Sequence, residues 1–181
     1  MLNNEPHQLV APVDPLRDHI AGPIDAPTEL VEYGDFECPY CALAHPNVKA
    51  VQRELGNRLA FVFRHFPLTS AHPNAEVAAE AAEAAGVQGM FWPMHDILFE
   101  TRAVEVPDLL DHARSLNLDV DTFIEELREH RHAERIREDL ASGARSGVNG
   151  TPTFFVNGRR HDGDYDAKTL LAALSVAPLR R

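Results

Sequence analysis

The pair Cys38-Pro39-Tyr40-Cys41 limits what this chain can become more than any other feature. These are its only two cysteines, so no disulfide framework exists beyond that local pair. The run before them, Thr28–Phe36 (TELVEYGDF), is short, β-branched and aromatic, and reads as a strand. After them, Leu43, Val48, Val51 and Leu55 keep helical spacing and Gly56 ends the run, which predicts a helix over Pro39–Leu55. A dithiol at such a junction holds its first sulfur at a helix N-terminus. Free N–H groups and a partial positive charge there favour a thiolate and lower its pKa. Pro39 suits the first turn, where its missing N–H forfeits nothing. Cys41, one turn deeper, is expected to be more buried and to attack a mixed disulfide formed on Cys38. Pro46 falls inside the helix and predicts a lost backbone hydrogen bond and a bend.

Two other readings of the pair exist. Inert core cysteines gain nothing from this spacing at a helix start. A zinc site could draw on Cys38, Cys41 and His45, but structural zinc takes four ligands in closely spaced pairs, and no second pair stands out. His130 and His132 are too close in sequence to share a helix face and are expected on the solvated surface.

Leu59–Phe66 (LAFVFRHF) is a second strand. A helix joins it to the first, so the two are expected side by side and parallel. The pattern then turns helical. Ala75–Ala85 consists almost wholly of Ala and Glu, with Gly86 and Gly89 as breaks. Met90–Glu100, Pro107–Leu116, Asp121–His130 and Ala133–Ser146 follow. Strands return at Thr153–Val156 and Arg159–His161 around the hairpin signal Asn157–Gly158, and Asp166–Ala177 closes the chain as a helix. The expected organisation is an extended leader over 1–27, an α/β unit made of 28–70 and 147–181, and a helical insertion over 71–146.

Two further residues bear on the dithiol. Pro152 precedes a hydrophobic strand, and a proline there marks a sheet edge or a cis bond. Alone, an ordinary X-Pro turn explains it; beside a strand-end C-x-x-C the cis reading gains weight. Glu32 lies in the middle of the first strand. Turned inward, its carboxyl would have a raised pKa and could relay the proton of Cys41. Turned outward, it would be an ordinary polar-face residue, and spacing leaves both open.

With 181 residues the chain is long enough for one well-filled domain. Its net charge of −11 argues against a nucleic-acid partner, which calls for excess Lys and Arg. No apolar run approaches the roughly 20 residues of a membrane helix, so no membrane partner is expected. The N-terminal stretch lacks the basic start and apolar run of a secretory signal, which reads as a cytoplasmic protein. Nothing reads as a separate dimerisation segment, so a monomer is expected.

TELVEYGDFECPYC, LAFVFRHFPL, NGTPTFFVNG and the closing GDYD…L…AL together resemble the DsbA-like branch of the thioredoxin superfamily, over about residues 28–177. The resemblance implies an α/β thioredoxin fold (βαβ … ββα), its central mixed sheet flanked by helices, with an all-helical insertion. It implies a thiol–disulfide oxidoreductase in which Cys38 attacks, Cys41 resolves, Pro152 is the cis-proline beside them and Glu32 is the buried acid. The backbone of Thr151 would pair with an extended substrate, and Pro39 and Tyr40 would flank it. The implied partners are protein or small-molecule thiols and disulfides and a regenerating redox partner, with no cofactor. Tyr40 stands where a histidine is typical, which weakens the case for a strong oxidase and, in a reducing compartment, favours reduction. Phe36, Tyr40, Phe66, Met90 and Phe91 are candidates for an apolar substrate surface, with most expected in the core. A non-catalytic redox-sensing or protein-binding module is the alternative.

Overall fold

The computed structural model describes residues 8–176; residues 1–7 of the leader and Ala177, the expected end of the last helix, lie outside them. One mixed sheet is built from β1 (His19–Ala21), β2 (Thr28–Gly34), β3 (Leu59–His65), β4 (Thr153–Val156) and β5 (Arg159–His161), in the order β1-β3-β2-β4-β5. β2 and β3 run parallel, joined by α1 (Pro39–Leu55), and the other neighbours are antiparallel. This is the thioredoxin arrangement expected from the sequence.

Every residue of β2 and β3 is buried. Central strands covered on both faces read as continuous apolar runs rather than alternating ones. Alternation still sorts their side chains. Leu30, Phe61, Phe63, Phe154 and Val156 join the large core with α1 and the helical block, while Val31, Tyr33, Val62 and Phe155 form a smaller one with Phe66 and Val148. Glu32 shares its parity with Leu30 and so points to the large core. At the β4–β5 turn, Asn157 and Gly158 take the left-handed backbone (φ 47° and 78°) that a two-residue hairpin of this kind requires.

The insertion comprises α2 (Ala75–Val87), α3 (Phe91–Thr101), α4 (Val106–Ser115), α5 (Val120–Arg128) and α6 (Ala133–Arg145); α7 (Ala167–Val176) follows the hairpin. Most alanines of α2 are buried, so its small side chains bring neighbouring helices close to its backbone. Gly86 does not break α2 as its sequence suggests. The helix runs on to Val87, and a Cβ at Gly86 would stand 3.1 Å from the His19 ring, so glycine here admits β1. His130 is exposed, as expected. His132 is instead largely covered and bonded to Glu126 (2.9 Å).

The leader, expected as an extended segment, packs against the domain as part of the sheet. It supplies β1, which lies antiparallel along the outer edge of β3. Arg64 of β3 is fully buried and holds it: the guanidinium donates to both carboxylate oxygens of Asp18 (2.9 and 2.8 Å), to the carbonyl of Ala11 (2.8 Å) and to the Tyr33 hydroxyl (3.0 Å). Burial works against the Asp18 carboxylate, yet Arg64 holds its pKa below the ordinary value.

Candidate active site

Cys38 occupies the N-cap of α1 with extended backbone, and Pro39 opens the helix. Both cysteines are free thiols. Cys38 is 3% exposed and Cys41 fully buried. The Cys41 thiol donating to the Cys38 sulfur does most to lower the Cys38 pKa, to about 5. Burial opposes this; Thr151 and the backbone N–H groups of Cys41 and Tyr40 add to it. Burial, then the bond to Cys38 and the charge of Glu32, push Cys41 well above its ordinary value. The two thiols are therefore driven apart, one toward thiolate and one toward thiol.

The chain returns to this point after the helical insertion. The Thr151–Pro152 bond is cis, and the Thr151 carbonyl lies 3.4 Å from the Cys38 sulfur, close enough to accept from its protonated form. Beneath the pair, Glu32 is 2% exposed and its Oε1 has no hydrogen-bond partner. Burial, and after it the Cys38 charge, raise its pKa to about 8. Gly34 leaves room for that carboxyl: a Cβ there would lie 3.3 Å from Glu32 Oε1 and 2.4 Å from the Phe63 ring. Pro39 is exposed, and Tyr40 (60%) and Leu43 (61%) stand out as exposed apolar residues beside the dithiol. Phe36, Phe66 and Phe91 are core, and Met90 is half-buried. Of the suggested apolar surface, Tyr40 is the one that is well exposed, and Leu43 joins it.

Sequence reasoning missed a polar clamp beside the first cysteine. Asp35 is buried, and its carboxylate accepts from the N–H groups of Glu37 (2.8 Å) and Leu68 (2.9 Å) and from His72 Nδ1 (2.7 Å), while its carbonyl accepts from the Cys38 N–H (3.1 Å). Glu37 accepts from the backbone and side chain of Asn74 (2.7 and 3.2 Å). The dithiol loop is thus tied to the β3–α2 connection. Burial lowers the pKa of His72, but Asp35, with smaller contributions from Cys38 and Glu37, raises it overall. The signal was a lone aspartate before the dithiol and a histidine in a distant loop, and no spacing rule joins the two.

The Cys38–Cys41–His45 metal set does not assemble. Among the described residues, the group whose ligand atoms converge is His45, His95 and Asp96. His45 packs from α1 against Asp96, Phe99 and Glu100 of α3.

Residues 15–175 match the family model described as Thioredoxin. The curated Na(+)/H(+) antiporter NhaA 1 of Salinispora arenicola is 54% identical over 170 residues, which are 93% of this chain and 26% of that protein. The chain therefore spans about a quarter of that relative. Among solved structures, BdbD from Bacillus subtilis superposes with TM-score 0.82 at 22% identity, over 94% of this chain and 95% of that one. A thioredoxin-like oxidoreductase from Silicibacter pomeroyi gives 0.77 at 25%, over 90% and 92%. The alpha-DsbA1 protein of Wolbachia pipientis gives 0.77 at 21%, over 92% of each chain.

Proposed function

Since the chain belongs to the thioredoxin family and has the fold of its DsbA-like members, we propose that it exchanges thiols and disulfides through Cys38 and Cys41. The observation that carries this reading is the split between the two thiols, one held near pKa 5 and its neighbour pushed up. The Cys38 thiolate attacks a substrate disulfide, forming a mixed disulfide and releasing one substrate thiolate. Cys41 then gives up its proton and attacks the Cys38 sulfur. The Cys38–Cys41 disulfide forms, and the second substrate thiolate leaves and is protonated.

Glu32 takes the Cys41 proton in this scheme. While Cys38 is anionic, burial and that charge keep Glu32 protonated. Formation of the mixed disulfide removes the charge, so Glu32 ionises more readily when a base is needed. An extended substrate would lie along Thr151 and Pro152, with its side chains over Pro39 and Tyr40. The reverse sequence delivers a disulfide, and redox poise sets the net direction. A Cys38 pKa near 5 lies between that of a strongly reducing dithiol (about 7) and that of a strongly oxidising one (about 3.5).

The antiporter name of the relatives belongs, in this reading, to the rest of their length. The shared 170 residues correspond to a thioredoxin-family unit, and no helix among the described residues is long and apolar enough to cross a membrane.

The test uses a mixed-disulfide trap and a reduction assay on insulin or a model disulfide. Cys38→Ser is expected to abolish exchange, and Cys41→Ser to accumulate the mixed disulfide. Full activity in both variants would remove the dithiol from the mechanism. Slow turnover in the parent, with partner binding that changes on oxidation, would favour the redox-sensing alternative.

A further inference from the structure

On the seam between α1 and α3, one turn beyond Cys41, lies a cluster that the exchange chemistry does not use. His45 Nε2 is 3.8 Å from Asp96 Oδ1 and 3.9 Å from Glu100 Oε1. His95 Nδ1 is 3.0 Å from the same Asp96 oxygen. One ligand atom each from His45, His95 and Asp96 falls within 4.8 Å of the other two. We propose that His45, His95 and Asp96, with Glu100 as the fourth ligand, bind one Zn2+ or a similar divalent transition-metal ion.

The first argument is chemical. Two imidazoles and carboxylate oxygens suit such an ion. Four ligands around zinc, at bonds of roughly 2.0–2.2 Å, stand about 3.3 Å apart. His95–Asp96, His45–Asp96 and His45–Glu100 stand at 3.0, 3.8 and 3.9 Å, around that value, while Glu100 lies outside the three-residue set that converges within 4.8 Å and must swing in to complete the site. The Glu100 side chain is 65% exposed, which leaves it room to do so.

The second argument comes from a group left without a partner. The His45 side chain is 7% exposed, and its Nε2, which faces Asp96 and Glu100, makes no hydrogen bond. A buried polar atom in that position costs stability unless something occupies its lone pair. A metal ion does so. Aromatic rings hold the His95 ring from several sides, with Phe63, Phe99 and Trp92 at 4.7, 5.0 and 5.1 Å between centroids, so one ligand is fixed in orientation.

His95 Nδ1 shares a hydrogen bond with Asp96 Oδ1 at 3.0 Å, and the ion would take the place of that contact. Positive charge opposes the ion: the Lys49 ammonium sits 2.6 Å from Asp96 Oδ2, not the Oδ1 that the histidines approach, and Arg53 and Arg102 line the adjoining groove. Lys49 leaves Oδ1 for the metal but adds a like charge nearby. The cluster borders a groove of about 610 Å³ along α1, lined in part by His45, Lys49, Phe99 and Glu100, which gives the ion a path from solvent.

The test uses the full chain with Cys38 and Cys41 oxidised to their disulfide, so that neither sulfur can bind metal. Zn2+ is titrated against a chromophoric competitor, and Co2+ is added separately for its visible spectrum. The expected results are one bound equivalent and four-coordinate Co2+ bands with no thiolate-to-metal charge-transfer band. His45→Gln is expected to weaken Zn2+ binding by about 100-fold or more, beyond what loss of a supporting hydrogen bond costs. Glu100→Gln, at an exposed position that does not threaten folding, should weaken it by about tenfold. Lys49→Gln should tighten it. Failure of the oxidised chain to bind Zn2+ would overturn the proposal, as would affinity unchanged in both His45→Gln and Glu100→Gln. Binding seen only in the reduced chain and lost in Cys38→Ser would assign the ion to the dithiol instead.

Discussion

Glu32 shows most clearly what a single residue contributes and how far it can be read in advance. Its pKa stands at about 8 in the fold against an ordinary 4.5. Between those values the native state holds a proton that the unfolded chain releases, so stability falls as pH rises through the window. The loss is absent below pH 4.5 and complete above pH 8. Glu32→Gln removes it, so the variant should gain stability over the parent progressively from pH 4.5 to 8 in denaturant titrations. An offset that does not change with pH would contradict the buried-acid account. In exchange assays the same variant should slow decay of the mixed disulfide by about 100-fold, the lower range for loss of a positioned base. His72 gives a second residue-level prediction. The Cys38 charge raises the His72 pKa, so a protonated His72 must lower that of Cys38. His72→Gln should move the pH midpoint of Cys38 alkylation upward; an unmoved midpoint would reduce His72 to a structural partner of Asp35. The helix-start placement of Cys38 and Cys41 was legible because its signals are local, whereas the cis bond at Pro152 was legible only in combination with the distant dithiol. The inward aim of Glu32 was half legible, since alternation offers two faces and only packing chooses between them. The Asp35–His72 pair was not, because its partners meet only once two separate loops are in place.

Elements show the same division between local and long-range information. The β4–β5 hairpin and the extent of α1 follow from Asn157–Gly158 and from the Pro39 and Gly56 boundaries, all local signals. The five inserted helices were present in the sequence with ends shifted by a residue or two, as fraying ends allow. β1 was invisible. Three residues cannot show alternation, and the strand is held by a guanidinium from β3 that sequence reasoning assigned to an ordinary strand position. The leader's docking therefore has a sharp test. Asp18→Asn leaves Arg64 buried without its counter-charge, and it should cost about 3 kcal/mol in urea unfolding. Replacing exposed Asp111, paired with Arg114 on the surface of α4, should cost well under about 1 kcal/mol. Similar losses in the two variants would show that β1 does not depend on the buried pair.

Across the whole molecule, redox state and folding stability are linked through one sulfur. The Cys38 pKa falls from 9.0 to about 5 on folding. A depressed pKa contributes stability that is fully present above pH 9 and is lost as pH falls through 5. The disulfide form has no such thiolate. The difference in stability between reduced and oxidised protein should therefore shift toward the reduced form as pH rises from 5 to 9, with Glu32 trimming part of the gain up to about pH 8. Calorimetry on both forms checks this, and a pH-independent difference would contradict it. α1, through Cys41 and Tyr40, and the returning segment, through Thr151, both act on that one anion, so its titration reports on how they meet. The most direct measurement follows the ultraviolet absorbance of the Cys38 thiolate against pH in the reduced Cys41→Ser variant and in the reduced parent. The parent is expected to titrate near pH 5 and the variant higher, since the donor that lowers the parent most is altered; a parent midpoint near 9 would contradict the account.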